Sequence, residues 1–337
     1  MTSRRLDESA ALGSLPAYVS RECFEAAHRR IAPHIVQTPL EPSPELSRRV
    51  GSEVFLKLEN LQTSGSFKLR GVVNKILSLP AGDLERPLVA ASTGNHGAAF
   101  AHVLETFGLS GQLFAPRNIS DAKRAWLRQS GIPLELVGDD CVEAELAARA
   151  HAAERQYVMI PPYNDPDIVI GQGTIGVEVV RDVKGLDAVL IPVGGGGLVC
   201  GIGAYLKAVS PQTAVIGCQP IHSAVMHHSL QAGRIVEEES RSTLADGTAG
   251  GIEPGSITFD LCRNVVDEFV LLSEEEIAAA MVLVRRSHGM DIEGAAALSV
   301  AAACKLRERF RGRRVALIIS GGRVDPSIID ELEVGHG

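Results

Sequence analysis

From about residue 50 onward, short apolar runs rich in Val, Ile and Leu alternate with stretches of helical periodicity. This alternation constrains the fold more than any other feature, because it is the pattern of parallel strands joined by crossover helices. The runs fall at 54–59, 88–92, 111–116, 133–137, 188–193, 214–219, 269–272 and 315–320. Several are apolar on both sides, as strands covered on two faces must be. Ser273 followed by Glu276 reads as a capping box opening a helix that stops at Gly289, and a further helix is expected over 120–130, ended by Gly131. The 337 residues suffice for two domains at about 100–200 residues each. No linker composition separates them, so the chain is expected to cross at ordinary loops, Pro80-Ala81-Gly82-Asp83 and Pro161-Pro162-Tyr163-Asn164.

Three segments are costly in an α/β chain unless a ligand uses them. Ser64-Gly65-Ser66-Phe67-Lys68 opens a helix whose apolar positions are Leu69, Val72, Val73, Ile76 and Leu77, which puts Lys68 at the helix entrance. The partial positive charge of a helix start is a poor neighbour for an ammonium group. Lys68 is therefore either a solvated lysine or an amine that is neutral or covalently tied, as in a Schiff base. Ser92-Thr93-Gly94-Asn95-His96-Gly97 follows a strand and precedes a helix; it is either an ordinary capped turn or a cluster of donors for a carboxylate or phosphate. Gly194-Gly195-Gly196-Gly197 leads into an apolar helix from Leu198, a natural phosphate cup. A dinucleotide site is not expected, because the third glycine of a G-x-G-x-x-G frame falls on Val199 or Cys200. That makes a nicotinamide dehydrogenase the weakest alternative.

Charge narrows the partners. Lys and Arg (33) against Asp and Glu (41) give a net charge of −8 with no basic block, which argues against nucleic acid or an anionic membrane surface. No window reaches the roughly 18 apolar residues of a membrane span. The six cysteines are scattered singly, without zinc-site spacing, and Met1 to Ser20 lacks the apolar core of a signal peptide, so a reducing cytoplasm is expected.

A reactive lysine, a carboxylate-binding turn and a phosphate cup on separate strand ends point to pyridoxal phosphate and a small amino-acid substrate. Ser66-Phe67-Lys68-Leu69-Arg70-Gly71, Ser92 to Gly97, Gly171-Gln172-Gly173-Thr174, Gly194 to Leu198 and Ser320-Gly321-Gly322 occur in this order. Together they resemble the fold-type II pyridoxal-phosphate enzymes of the threonine/serine dehydratase and serine racemase family, from about Thr38 to Asp325. The combination of Leu61-Gln62, Ser92 to Gly97, Met226-His227-His228-Ser229-Leu230 and Thr243-Leu244-Ala245-Asp246 resembles its hydroxyectoine-utilisation dehydratase branch.

The resemblance implies the tryptophan synthase β-like architecture: two doubly wound parallel-sheet domains with the cofactor between them. The large domain would comprise 1–83 and 164–337, and the inserted small one 84–163. It further implies that Lys68 holds the cofactor and removes the substrate α-proton, that Phe67 flanks the ring, and that Asn95 bonds its 3'-oxygen. Gly194, Gly195, Gly196, Gly197 and Leu198 would hold the phosphate, and Ser320 would face the pyridine nitrogen. Ser92, Thr93, Gly94, Asn95 and His96 would bind the substrate carboxylate, with the Tyr163 hydroxyl near the cleft. The implied reaction is loss of water from a β-hydroxy amino acid such as threonine, serine or hydroxyaspartate, in a homodimer. Thr93, as a second base, keeps racemisation open, and a non-catalytic binding protein is a further alternative.

Where the family's divalent-cation site has acidic residues, this chain has Gln219 and Val225, so no metal is expected there; His222, His227 and His228 are expected on the surface. Arg323 replaces the family's Asn, to select an acidic side chain or to pair with Asp325 or Glu293. The chain stops soon after Asp325, so feedback control by isoleucine is not expected.

Overall fold

In this computed structural model, residues 15–92, 94–119, 124, 125, 127 and 130–335 are described. Ten strands among them form two sheets. Strands β1 (Leu40–Pro42), β2 (Glu53–Leu58), β7 (Ala188–Pro192), β8 (Ala214–Pro220), β9 (Glu268–Leu272) and β10 (Arg314–Ile319) make a six-stranded sheet ordered β1-β2-β10-β7-β8-β9. Strands β3 (Leu88–Ala91), β4 (Gly111–Ala115), β5 (Leu134–Leu136) and β6 (Val158–Met159) make a second, ordered β5-β4-β3-β6. All pairings are parallel except β1 with β2.

Eight of these strands coincide with the apolar runs. The two that do not are edge strands: β1 ends in Pro42 and β6 has two residues, so neither carries a readable period. The capping box at Ser273 and Glu276 forms as expected and opens the helix Glu274–His288. Most of the helix expected over 120–130 lies outside the described residues.

Period two along each strand sends alternate residues to opposite cores. Val189, Ile191, Ala316 and Ile318 join one cluster with the helices Arg21–Ile31, Pro166–Asp182 and Gly197–Val209. Leu190, Val315, Leu317 and Ile319 join another with the helices Glu274–His288 and Gly294–Lys305. The second sheet is likewise covered on both faces. No helix among the described residues is long and apolar enough to cross a membrane.

Strand order places the ligand region. In each sheet the chain reverses direction once, between β7 and β10 and between β3 and β6, and such switch points open crevices at the carboxyl ends of parallel strands. The glycine run follows β7, Ser320 follows β10, Ser92 follows β3, and Pro162 and Tyr163 follow β6. All four strand ends line one cleft.

The segment Gly171-Gln172-Gly173-Thr174 holds this arrangement together from behind. It lies inside the helix Pro166–Asp182, wedged between the helix Lys68–Ser78 and the helix Gly197–Val209. A Cβ on Gly171 would stand 2.7 Å from Gly71 Cα, and one on Gly201 only 2.3 Å from the Val169 carbonyl oxygen. The glycines let three backbones touch, which couples the lysine's helix to that of the glycine loop. Gly201→Ala is expected to cost about 1–3 kcal/mol, the scale of overpacking a tight interior, measurable as a fall in the urea midpoint. The helix Lys68–Ser78 lies before residue 84, yet its Leu69, Val72, Val73 and Ile76 share a core with Leu88, Ala90 and Phe100 of the second sheet.

Candidate active site

The cleft between the sheets has a volume of about 870 Å³, and every described residue singled out from the sequence for cofactor or substrate lines it. Thr93 lies outside the described residues.

Lys68 is the first residue of its helix, which no side chain caps. An antiparallel bridge between Ser66 and Gly321 and a bond from the Phe67 amide to the Ser320 carbonyl at 3.1 Å stitch this loop to the end of β10. Lys68 Nζ donates to the Pro162 carbonyl at 2.8 Å and sits 5.3 Å from the Phe67 ring centre. Burial lowers its pKa to about 8, against the opposing pull of Glu145 and Glu293. About a tenth of the amine is therefore neutral at pH 7 and about half at pH 8, the state a nucleophile requires.

The glycine run is a fitted cup. Gly196 has φ +90°, the left-handed region that disfavours other residues, and caps the helix Gly197–Val209 without any side-chain bond. A Cβ on Gly195 would meet the Tyr163 ring at 2.5 Å, and one on Gly194 the Thr248 backbone at 3.0 Å. Thr258 Oγ1 donates to the Gly195 carbonyl at 2.6 Å. Amides of an uncapped helix start in a shell with no room for a side chain suit an anion.

Across the cleft the helix Asn95–Phe107 also begins without a side-chain cap, and Ser92 Oγ accepts from the Gly94 amide at 3.1 Å. Asn95 Nδ2 donates to both oxygens of Glu293, at 2.8 and 2.9 Å, which links the two sheet units; its buried Oδ1 has no partner. The sequence reading assigned Asn95 to a cofactor oxygen and did not foresee the Glu293 contact. His96 lines the cleft with its ring turned toward the segment after β6. Its Nε2 bonds the Ile160 carbonyl at 2.8 Å, its buried Nδ1 has no partner, and burial, followed by the charge of Lys68, lowers its pKa to about 3. A neutral ring donating through Nε2 offers Nδ1 only as an acceptor, so the His96 backbone amide, not its side chain, is the donor available to a carboxylate.

Tyr163 packs its ring on Gly195 and Gly197, and its hydroxyl accepts from the Glu253 amide at 2.8 Å. It shapes the glycine cup. Asp325 accepts from the Ser327 amide and hydroxyl at 3.0 and 2.8 Å, so of the two partners considered for Arg323 it is Glu293 whose charge acts on it. His222, His227 and His228 are each partly buried; Nδ1 of His222 bonds the Ser242 carbonyl, and Nδ1 of His228 bonds Glu238. Gln219 Oε1 accepts from the His227 amide at 2.9 Å. Among the described residues no group of three or more His, Cys, Asp or Glu is placed to hold a metal ion.

Two features of the site escaped the sequence reading. One is Glu145, on the cleft wall, with Tyr163 and Glu253 beside it. It lies one position from the Ala144-Ala148-Ala152 stripe of the helix Cys141–Arg155, and an acid on the flank of an apolar stripe was the available signal. The other is a fully buried ionic network behind the cleft. Arg70 bridges Glu59 at 2.8 Å and Glu178 at 2.6 Å, Lys57 Nζ donates to Glu178 at 2.5 Å and to the Thr38 carbonyl at 2.6 Å. Lys57 and Glu59 in the otherwise apolar β2 segment were its only trace.

Comparison with known proteins agrees with this geometry. A family described as "Pyridoxal-phosphate dependent enzyme" matches residues 31–321. The L-threonine ammonia-lyase of Thermotoga maritima is 38% identical over 314 residues, covering 93% of this chain and 78% of that protein. The processed form of threonine deaminase isoform 2 from Solanum lycopersicum superposes with a TM-score of 0.87 at 30% identity, covering 97% of this chain and 91% of that one. The serine racemase of Dictyostelium discoideum does so with a TM-score of 0.82 at 30% identity, covering 92% and 100%.

Proposed function

The chain belongs to the pyridoxal-phosphate-dependent enzymes, and from that membership we propose that it eliminates water from a β-hydroxy amino acid such as L-threonine or L-serine, yielding a 2-oxo acid and ammonia. The observation that carries this reading is the placement of Lys68, a partly neutral amine in a cleft between two uncapped helix starts.

The residues fit the cofactor. The glycine cup excludes any side chain where a phosphate would rest, and Lys68 lines the same cleft as an available amine. When bound, pyridoxal phosphate draws electrons from the substrate Cα and so acidifies its hydrogen. The chain's own residues do the rest. Amides of Gly194 to Gly197 and Leu198 hold the phosphate, and the Tyr163 ring supports their loop. Phe67 flanks the ring. Ser320, whose hydroxyl is uncharged, would face the pyridine nitrogen and would not force a proton onto it. Ser92, Gly94 and the first amides of the helix Asn95–Phe107 take the substrate carboxylate, and Lys68 Nζ removes the α-proton, a contribution of about 10²–10⁴-fold.

The inserted unit 84–163 would close on the carboxylate through the Asn95 loop. A homodimer in a reducing compartment belongs to the same reading.

Incubating the holoenzyme with L-threonine, L-serine, hydroxyaspartate, phenylserine and their D-isomers should release 2-oxo acid from at least one; release from none would refute the reading. Racemisation is the second reading, favoured by the similarity to the Dictyostelium discoideum racemase. It would win if L-serine in deuterated water gave D-serine faster than pyruvate.

A further inference from the structure

The elimination proposed above needs a proton for the departing hydroxyl, and the cleft contains a group built to supply one. Glu145 lines the same cleft as Lys68 and is only 9% exposed. Around it stand Tyr163, with which it shares a hydrogen bond, the Glu253 carboxylate, Lys68, whose charge acts on it, and Arg149 on its own helix. Arg149 is committed elsewhere: Nε and Nη2 meet both oxygens of Glu253 at 2.5 and 2.9 Å, and Asn164 Nδ2 donates to Glu253 at 2.5 Å. Glu253 is thus bonded by two partners, Arg149 and Asn164, and Glu145 is left in a walled site beside that carboxylate. Burial first, and the Glu253 charge second, raise the Glu145 pKa to about 8, with Lys68, Tyr163 and Arg149 pulling the other way. At neutral pH it is an undissociated acid.

We propose that Glu145 is a catalytic acid, facing the substrate's β-carbon and handing its proton to the leaving hydroxyl. The inference rests on the dehydratase reading. As Lys68 Nζ takes the α-proton, the freed pair forms the Cα–Cβ double bond, the Cβ–O bond breaks with its electrons on oxygen, and Glu145 completes a water molecule. Glu145 is left as a carboxylate and Lys68 as an ammonium; transfer of the proton from Lys68 to Glu145 restores both. Hydrogen from Cα and hydroxide from Cβ leave as water, with no oxidant or reductant.

The test compares L-serine with β-chloroalanine, whose chloride departs without a proton. In holoenzyme carrying Glu145→Gln, the ratio of the L-serine rate to the β-chloroalanine rate should fall about 10²-fold, and the fall of the L-serine rate above pH 8 should disappear. Equal losses on both substrates would overturn the proposal. A wild-type holoenzyme inert toward both would instead refute the dehydratase reading, so the two failures are distinguishable. Thermal midpoints give a readout free of turnover. A carboxyl whose folded pKa is raised from 4.5 to about 8 contributes stability below pH 4.5 that is lost as pH rises to about 8. The midpoint of E145Q holoenzyme should therefore gain on the wild type across that interval and level off above it. A constant difference would also overturn the proposal.

Discussion

Lys68→Ala is expected to lower the elimination rate by at least about 10³-fold and to abolish two signs expected of a lysine–cofactor imine, a yellow absorbance and labelling of position 68 on borohydride reduction. Three features of the structure converge on this amine. It opens a helix whose first turn carries partial positive charge, it is walled into the cleft, and burial brings its pKa to about 8. Each favours an uncharged nitrogen, which attacks an aldehyde and later accepts a proton. The loss should be partly reversed by added methylamine, because a small amine can occupy the vacated space and serve as base. The thermal midpoint should change little, since the side chain's hydrogen bond is a single one to the Pro162 carbonyl. A variant that kept its colour and its turnover would refute both the covalent link and the reaction.

Arg70→Met should be the most destabilising single change near the site, costing about 3–5 kcal/mol, because it removes one partner of a buried ion network and leaves the others uncompensated. Arg70 donates to Glu59 twice and to Glu178 twice, all three side chains being fully buried. These bonds join the turn that follows β2, the lysine's helix and the helix Pro166–Asp182. Glu178 is held far below the ordinary carboxylate range by His28, Arg70 and Lys57 despite its burial, while burial lowers Lys57. With Arg70 gone, Lys57 and His28 alone face two buried carboxylates. Chemical denaturation reads the loss directly, and the apoenzyme should show it as fully as the holoenzyme. A cost below about 1 kcal/mol would mean that water enters the network and screens it.

Most of the site's membership was legible in the sequence because it depends on local chemistry. A strand that ends in four glycines before an apolar helix offers amides whatever surrounds it, and the run after Val193 was found for that reason. Lys68 was found because helical spacing after it is unambiguous. The segment Gly171 to Thr174 was recognised without its purpose, since the close crossing at Gly201 joins residues far apart in the chain. The loop carrying His96 was legible, but the orientation of its ring was not, because that depends on the Ile160 carbonyl just past β6.

The parallel α/β class and eight of the ten strands among the described residues followed from the sequence alone, which also singled out Lys68 and the glycine run that line the cleft, since periodicity, glycine content and helix-start chemistry act over a few residues. Folding decided what depends on distance in space: the order of strands that brings two switch points face to face, the crossing of Asn95 to Glu293, and the enclosure of Glu145. Burial and charge pairing are properties of neighbours brought together from distant parts of the chain. The same glutamate that would be an ordinary anion on an exposed helix becomes a proton donor only where the fold removes its water.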